Sequence, residues 1–377
     1  MLAIERYEAI MQAAQSQGWV RVTDMAQRLG VSTVTMRRDI GALVDRGLLE
    51  RVYGGASIPS RAPAPKRGGD QARRARHGAT IGLVVPSSTY YYPGVIRGAE
   101  SAAGVLGVRV VLAVSHYNRE LECQQVARLL RAGVDGLLIA TADPPDPDPE
   151  VIDWLTGIDV PVVLVERSLA GPAAARIEYV RSDHAAGAEM AVEHLVSAGH
   201  PRVAAAAGLR SPTARWLFDG HTAALARLGI TDGGVGHTEL PRTDLDPLGN
   251  AEAIGSLVDR CLAAGVRALV VHADSNAAAI VHTAAERGLD VPGDLAIVAY
   301  DDEAAALAEV PLTAVAPPKF DVGRTAVETL MLRISSPGDD VATRRMSLLP
   351  GLVVRSSCGT AREPLPLSLP FDRPGGR

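Results

Sequence analysis

Residues Val31–Ala56 read VSTVTMRRDIGALVDRGLLERVYGGA. Met36, Ile40, Leu43 and Val44 recur at steps of three and four, the spacing of a helix with one apolar face, and Ser32 stands where it can cap that helix. The pattern leaves Thr33, Thr35, Arg37 and Arg38 facing outward. After Gly47, LLERVYGGA reads as a strand that ends in a Gly-Gly hairpin tip. Small hydroxyls and two adjacent arginines at a helix start suit the major groove of DNA. The hydroxyls meet bases or phosphates, the arginines bridge to guanine edges or phosphate oxygens, and the free N–H groups of the first turn attract a phosphate. Taken singly, each residue also admits a plain structural role: Ser32 as a cap, Thr35 as packing, and the arginines as partners of Asp39 or Asp45.

Upstream, Ile4, Ile10 and Met11 outline an amphipathic helix closed by Gly18, WVRV reads as a short strand, and Thr23 can cap a helix, TDMAQRLG, that closes at Gly30. Two helices joined by a short turn complete a helix-turn-helix. Downstream, residues 57–78 are rich in Pro, Gly and Arg and too poor in apolar residues to build a core, so they read as a flexible linker. From residue 79 the chain repeats apolar strand, turn and helix: TIGLVVPSS, VRVVLAVS, VDGLLIAT, VPVVLVER, RVAAAAGL, VRALVVHAD and LAIVAYDD, with amphipathic stretches such as RELECQQVARLLRAG between them. Continuous apolar runs of this kind predict parallel sheet covered by helices on both faces, an α/β fold. DPPDPDPE at Asp143 to Glu150 reads as a surface loop, and residues 361–377 as a disordered tail.

The composition narrows the function. With 377 residues, 47% hydrophobic and 21% charged, the chain can bury more than one core. Residues 1–78 carry 13 Lys and Arg against 7 Asp and Glu, whereas the remainder carries 25 against 36; a basic head precedes an acidic body, as expected when only the head meets a polyanion. Cys123, Cys261 and Cys358 are far apart and odd in number, which predicts neither a disulfide framework nor a metal site and fits a cytoplasmic protein. Glu5, Arg6 and Glu8 interrupt any secretory signal, and no run of about 18 apolar residues follows, so neither export nor membrane insertion is expected. A nucleophile-elbow G-x-S-x-G, a phosphate loop, H-E-x-x-H and a proper dinucleotide fingerprint are all missing from the sequence. A non-enzymatic protein without a cofactor is the expectation.

Val31–Ala56, with its Arg-Arg-Asp triplet, Gly-Leu-Leu turn and closing Arg-Val-Tyr-Gly-Gly-Ala, resembles the winged helix-turn-helix of DeoR-type transcriptional regulators. That resemblance puts Arg37 and Arg38 on a recognition helix and Arg51 and Tyr53 on or near the wing, with Ser32, Thr33 and Thr35 completing the DNA-binding set. Asp39 reads as structural, because a carboxylate facing phosphates would repel them. DeoR-type regulators usually continue into a domain similar to sugar-phosphate isomerases, and here the body departs. IGLVVPSSTYYYPGVIRGAE, VDGLLIA, AVEHLVSAGHPRVAAAAG, GLDVPGDLAIVAYDD, PLTAVAPPKFDVGRTAVETL and LPGLVVRSSCG together resemble the effector domain of LacI/GalR-type regulators, itself similar to periplasmic sugar-binding proteins.

This second resemblance implies two α/β lobes, three chain crossings between them, and a ligand in the cleft at the strands' C-terminal ends. Tyr91 and Tyr92 match the family's ligand-facing aromatic pair, Asp301 and Glu166 its cleft carboxylates, and Asp274 the aspartate of an Asn-Asp pair whose Asn is replaced by Ala273. Leu217 stands where the family typically has an arginine, so Thr213 or Arg215 is expected to compensate. With few cationic groups in view, the site suits a neutral polyol. The organisation expected is a DNA-binding domain at 1–56, a linker at 57–78, a two-lobed effector domain at 79–360 and the tail. The function expected is that of a cytoplasmic, homodimeric repressor of carbohydrate-metabolism genes that binds a double-stranded operator and answers to a small sugar-like effector. Two alternatives stay open: a ligand-independent repressor with a vestigial cleft, and a carbohydrate-acting enzyme. The linker is longer and more proline-broken than the family's short hinge helix, so the signal can pass through dimer geometry or through linker arginines on phosphates.

Overall fold

The computed structural model describes residues 6–7, 9–10, 13–14, 19–45, 49–52, 55–57, 78–142, 148–209, 211–242, 245–336 and 342–359. Ile4, Met11, Gly18, Tyr53, nearly all of the expected linker and the expected tail lie outside them. The chain divides into two compact units, Met1–Arg76 and His77–Arg377.

In the first unit, strand β1 (Trp19–Arg21) runs directly into helix α1 (Val22–Arg28), and after a turn at Gly30 helix α2 (Thr33–Asp45) follows. Thr23 is not the cap of α1. Arg21 is the N-cap and Thr23 lies inside the first turn, its hydroxyl 2.9 Å from Asp24 Oδ1, because β1 leaves no separate turn before the helix. Ser32 does cap α2, its Oγ accepting from the Thr35 amide at 3.1 Å. Strands β2 (Glu50–Val52) and β3 (Gly55–Ser57) form a hairpin in the register Val52 to Gly55, and β3 also pairs antiparallel with β1. Ile10, Val20, Met25, Met36, Ile40, Leu43 and Leu49 make one buried cluster beneath these elements.

The second unit contains two six-stranded sheets. In the first, β4 (Thr80–Val85), β5 (Arg109–Val114), β6 (Gly136–Ile139), β7 (Val162–Val165), β8 (Glu178–Ser182) and β14 (Arg345–Leu348) are all parallel, in the order β14-β8-β7-β6-β4-β5. The second has the order β10-β9-β11-β12-β13-β15, from β9 (Ala204–Gly208), β10 (His237–Leu240), β11 (Ala268–His272), β12 (Ala296–Tyr300), β13 (Thr313–Ala316) and β15 (Gly351–Val353). Only β15 in that sheet is antiparallel to its neighbour. Helices α3 (Tyr92–Leu106), α4 (Arg119–Arg131) and α5 (Pro149–Thr156) belong to the first lobe. Helix α5 begins at Pro149, so the last two residues of the expected acidic loop are helical. The second lobe carries α6 (His184–Ser197), α7 (Ala214–Leu228), α8 (Pro247–Ala263) and α9 (Asp274–Glu286).

The chain crosses between the lobes three times: from β8 into α6, from β13 into α10 (Lys319–Ser335), and from β14 into β15. Helix α10 returns to the first lobe and lies against α3. Their backbones touch, since a Cβ on Gly98 would sit 1.9 Å from Phe320 O and one on Gly323 2.0 Å from Val95 O. Among the described residues, no helix is long and apolar enough to cross a membrane.

Candidate functional sites: a helix surface and an interlobe cleft

On α2 the residues divide by face. Met36, Ile40 and Leu43 are buried, whereas Ser32, Thr33, Val34, Arg37 and Arg38 are exposed and Thr35 is half-buried. Asp39 is buried and held by Arg6, whose Nε donates to Oδ2 at 2.7 Å and whose second guanidinium nitrogen donates to Oδ1 at 3.3 Å. This pair removes the one acidic neighbour in the Arg-Arg-Asp triplet from competition for Arg37 and Arg38. Among the described residues neither arginine makes an ion pair, which leaves both guanidinium groups available to phosphate or a guanine edge. The Ser32 and Thr35 hydroxyls lie 2.9 Å apart and are partly spent on each other. Arg51 is in β2, its backbone opposite Ala56, while Tyr53 falls outside the described residues. Sequence reasoning passed over Val34. It is 72% exposed on the same surface as the arginines, where a branched methyl side chain suits contact with a thymine methyl.

The second site is a cavity of about 80 Å3 at the C-terminal ends of the strands of both lobes. The first lobe contributes Tyr90, Tyr91 and Tyr92 after β4, Tyr117 after β5 and Arg167 after β7; His184 follows β8. From the second lobe come Ser211 to Thr213 after β9, His272 at the end of β11 and Asp301 after β12. Three of these lining residues have a left-handed backbone without being glycine, Tyr91 (φ 63°), Tyr117 (56°) and Asp301 (101°), as does Glu166 (56°) next to Arg167. Such conformations cost about 1–3 kcal/mol each and gather where function requires a fixed side-chain direction.

Glu166 lies beneath the cavity rather than on it. Its Oε1 accepts from the Tyr91 phenol and the Ser182 hydroxyl, both at 2.9 Å, and its Oε2 from the Ser182 amide at 2.9 Å. Burial pushes this carboxyl up, opposed by those same hydrogen bonds. The neighbouring Arg167 guanidinium is spent on backbone, donating to Glu166 O at 2.7 Å and Thr141 O at 3.1 Å. Glu166 therefore holds the Tyr91 phenol from beneath the cavity. His184, 3.7 Å from the same carboxylate, is held well below the ordinary imidazole range by burial, and its Nδ1 lies 3.3 Å from the Tyr300 phenol.

On the opposite wall Asp301, 2% exposed, accepts from the Tyr90 phenol at 3.0 Å through Oδ2, and His272 Nε2 stands 3.5 Å from the same oxygen. Asp301 Oδ1 and His272 Nδ1 are buried without a hydrogen-bond partner. Lys319 at the start of α10 donates to Asp301 O and pairs with Glu303 at 2.5 Å, which fixes the loop behind the carboxylate.

Two expected residues are elsewhere. Asp274 is buried under the same loop, where Oδ2 accepts from the amides of Glu303 at 2.6 Å and Ala304 at 2.8 Å, so it shapes the Asp301 loop without reaching the cavity. Arg215 extends along the surface of α7 with half its side chain exposed, 3.9 Å from Asp219, because its helix position points away from the cleft. Leu217, at the position of the resembled family's arginine, is fully buried in the core of the second lobe. Thr213, Tyr91, Tyr92 and Asp301 do line the cavity. Tyr117, Arg167, His184 and His272 were missed; Arg167 and His272 stand at the ends of apolar runs, the signal that found Asp301, whereas Tyr117 lies further past its run and His184 follows β8, whose residues alternate.

A larger, open groove of about 730 Å3 runs between α8 and α9, but its charged lining includes the Arg287–Asp259 pair at 3.1 Å, and it contains none of the unpartnered buried atoms. Among the described residues no cluster of three His, Cys, Asp or Glu is placed to hold a metal, and Cys123, Cys261 and Cys358 are free thiols.

A basic helix-turn-helix head ahead of a two-lobed body with an interlobe cleft defines a DNA-binding transcriptional regulator. The comparisons with known proteins carry the same two parts. A model of DeoR-like helix-turn-helix domains matches residues 6–62, and one of periplasmic binding protein-like domains matches residues 192–358. An HTH-type transcriptional regulator from the aml 5' region of Streptomyces limosus is 32% identical over 293 residues, 75% of this chain and 80% of that protein. The ribose operon repressor of Escherichia coli (strain K12) is 27% identical over 339 residues, 89% of this chain and 98% of that one. A solved structure of the transcriptional regulator CelR in complex with cellobiose is 26% identical, with a TM-score of 0.62, covering 88% of this chain and 98% of that chain. The chain belongs to the LacI family of transcriptional regulators and carries a DeoR-like head. Its relatives are repressors of transcription, not enzymes.

Proposed function

We propose that this regulator is a repressor of carbohydrate-metabolism genes whose operator affinity is set by a neutral, hydroxyl-rich effector held between the lobes. The observation that carries this reading is the convergence of Tyr91, Tyr92, Thr213 and Asp301 on one cavity at the strand ends, together with the unpartnered Asp301 Oδ1 and His272 Nδ1. Aromatic faces suit the C–H side of a sugar ring, and an unpaired buried carboxylate oxygen takes a hydroxyl donor. Relatives named for ribose and found with cellobiose support the same class. Ser32, Thr33, Thr35, Arg37, Arg38, Arg51 and Tyr53 make up the proposed DNA-reading set. A homodimer would present two recognition helices to a two-fold operator, and a protein that binds operators works in the cytoplasm. The domain limits that go with this reading are 1–56, 57–78 and 79–360.

Effector binding shifts operator affinity only to the extent that the effector prefers one lobe arrangement. The test is a thermal-shift screen against pentoses, hexoses, polyols, disaccharides and nucleosides, since a ligand at about 100 times its Kd adds roughly 2.7 kcal/mol. A shift of several degrees, followed by a changed operator affinity with that compound, is the expected result. The small cavity favours a second reading, in which the cleft is filled by its own side chains and senses nothing; a flat screen supports it.

A further inference from the structure

Among the three consecutive tyrosines, Tyr90 differs in kind. Tyr91 and Tyr92 are buried at 9% and 2%, whereas Tyr90 is 36% exposed. Its backbone is anchored, because Ser87 Oγ accepts from the amides of Thr89 at 3.2 Å and Tyr90 at 3.4 Å. The side chain is thus the part free to swing. It leaves the first lobe after β4 and ends on Asp301 of the second lobe, 211 residues further along, in a single hydrogen bond of 3.0 Å.

The carboxylate it reaches is only half satisfied. Oδ2 receives the phenol and faces His272 Nε2, while Oδ1 has no partner. With Nε2–H turned toward the carboxylate, His272 Nδ1 is an acceptor, and it too is unpartnered. Leaving a buried carboxylate oxygen unpaired is costly, so a molecule bringing two donors gains more from this wall than the single phenol does. Burial and the Asp301 charge push the Tyr90 phenol far up, which keeps it a donor throughout the physiological range. Space points the same way: about 80 Å3 is far below the roughly 300–1,000 Å3 of ordinary ligand sites, and withdrawing the Tyr90 ring enlarges the cavity on the Asp301 side.

We propose that Tyr90 is a tethered competitor for the effector: its phenol ties the lobes through Asp301, and a neutral ligand with two hydroxyl donors displaces it by satisfying Asp301 and His272 together. The proposal deepens the effector reading above and rests on it for the ligand class, whereas the tie itself does not depend on any ligand. Effector selectivity is then a difference between two sets of hydrogen bonds, those the ligand makes and the one it must break.

Tyr90→Phe removes the phenol oxygen and keeps the half-exposed ring, so folding is retained. In protein without added ligand, hydrogen exchange of the amides of residues 301–304 is expected to be several-fold faster in Tyr90→Phe than in the wild type. In calorimetric titrations with D-ribose and with cellobiose, whichever sugar binds the wild type is expected to bind the variant about three- to tenfold more tightly, the size of one net hydrogen bond. Unchanged exchange overturns the tie, whatever the sugars do. Weaker sugar binding by the variant overturns the competition and makes Tyr90 an ordinary ligand contact. Faster exchange with neither sugar bound upholds the tie and removes these two sugars from the effector reading.

Discussion

Helix α2 and the interlobe cleft both use element ends to present polar groups, and they do so in opposite electrostatic conditions. On α2, Arg37 and Arg38 stand in solvent, without an ion pair among the described residues, while the nearby Asp39 is turned inward onto Arg6. In the cleft, Glu166, Arg167 and Asp301 are buried and already bonded to the protein. A polyanion partner supplies its own charge and releases its own counterions, so cations that read it are best left solvated and unpaired. A small ligand must instead outcompete what the protein has already made, so its site is tuned by the strength of internal bonds.

Four measurements would break or sharpen this contrast. The largest effect is expected from replacing Arg37 and Arg38 together by Ala. At about 1–3 kcal/mol for each good base contact, operator affinity should fall about 100- to 1,000-fold while the melting temperature stays put. Fluorescence anisotropy on a duplex recovered by selection from random sequences, read at fixed salt, would show it; retained affinity would erase the distinction between the two regions. Next comes Glu166→Ala, which strands the Tyr91 phenol and the Ser182 hydroxyl and amide in the interior and should cost about 2–3 kcal/mol in denaturant unfolding of the body.

The third concerns pH. Burial holds His184, His194, His200, His221 and His237 below the ordinary imidazole value of 6.5. Below about pH 6.5 the unfolded chain therefore binds more protons than the folded one, and this part of the stability, complete above that pH, is lost as pH falls. Glu166 and Asp274, raised by burial, contribute with the opposite sign, so the histidine part is read as a difference. Melting curves from pH 8 to 5 should show a shallower acid limb in His221→Gln than in the wild type. The smallest effect is expected at Val34: trimming it to Ala removes two methyl carbons from the reading surface and should relax discrimination about threefold at a single base pair, with little change in total affinity.

Much of the architecture was legible because of where strands sit in their sheets. All seven apolar runs picked out in the body are strands β4, β5, β6, β7, β9, β11 and β12. The strands without such a run include the edge elements β10, β14 and β15, whose residues alternate between covered and exposed. Strand β8, EYVRS, alternates between buried and half-buried residues. A half-covered strand has no need of a continuous apolar stretch and therefore leaves a weak trace. The cleft follows a similar logic. Asp301, Tyr91 and Tyr92 could be found from strand ends alone, but His272 joins Asp301 only through the pairing of β11 with β12, which sets His272 opposite Tyr300. Asp274 and Glu166 were recognised as acids near the site, and their inward hydrogen bonds, invisible in a linear pattern, turn them into supports for the residues that face the cavity.

The late return of the chain to both sheets also sets a schedule for synthesis. Strand β8 begins at Glu178, but its outer neighbour β14 begins at Arg345, and β15 completes the second sheet only at Val353. At about 5–20 residues per second, a ribosome leaves the edge of β8 waiting roughly ten to thirty seconds for its partner. Neither lobe can finish before β14 and β15 have emerged, whereas the head, whose core among the described residues is drawn from Ile10 to Ala56, has everything it needs by Ser57. The part that reads DNA is thus complete, during every round of translation, well before the part that governs it exists.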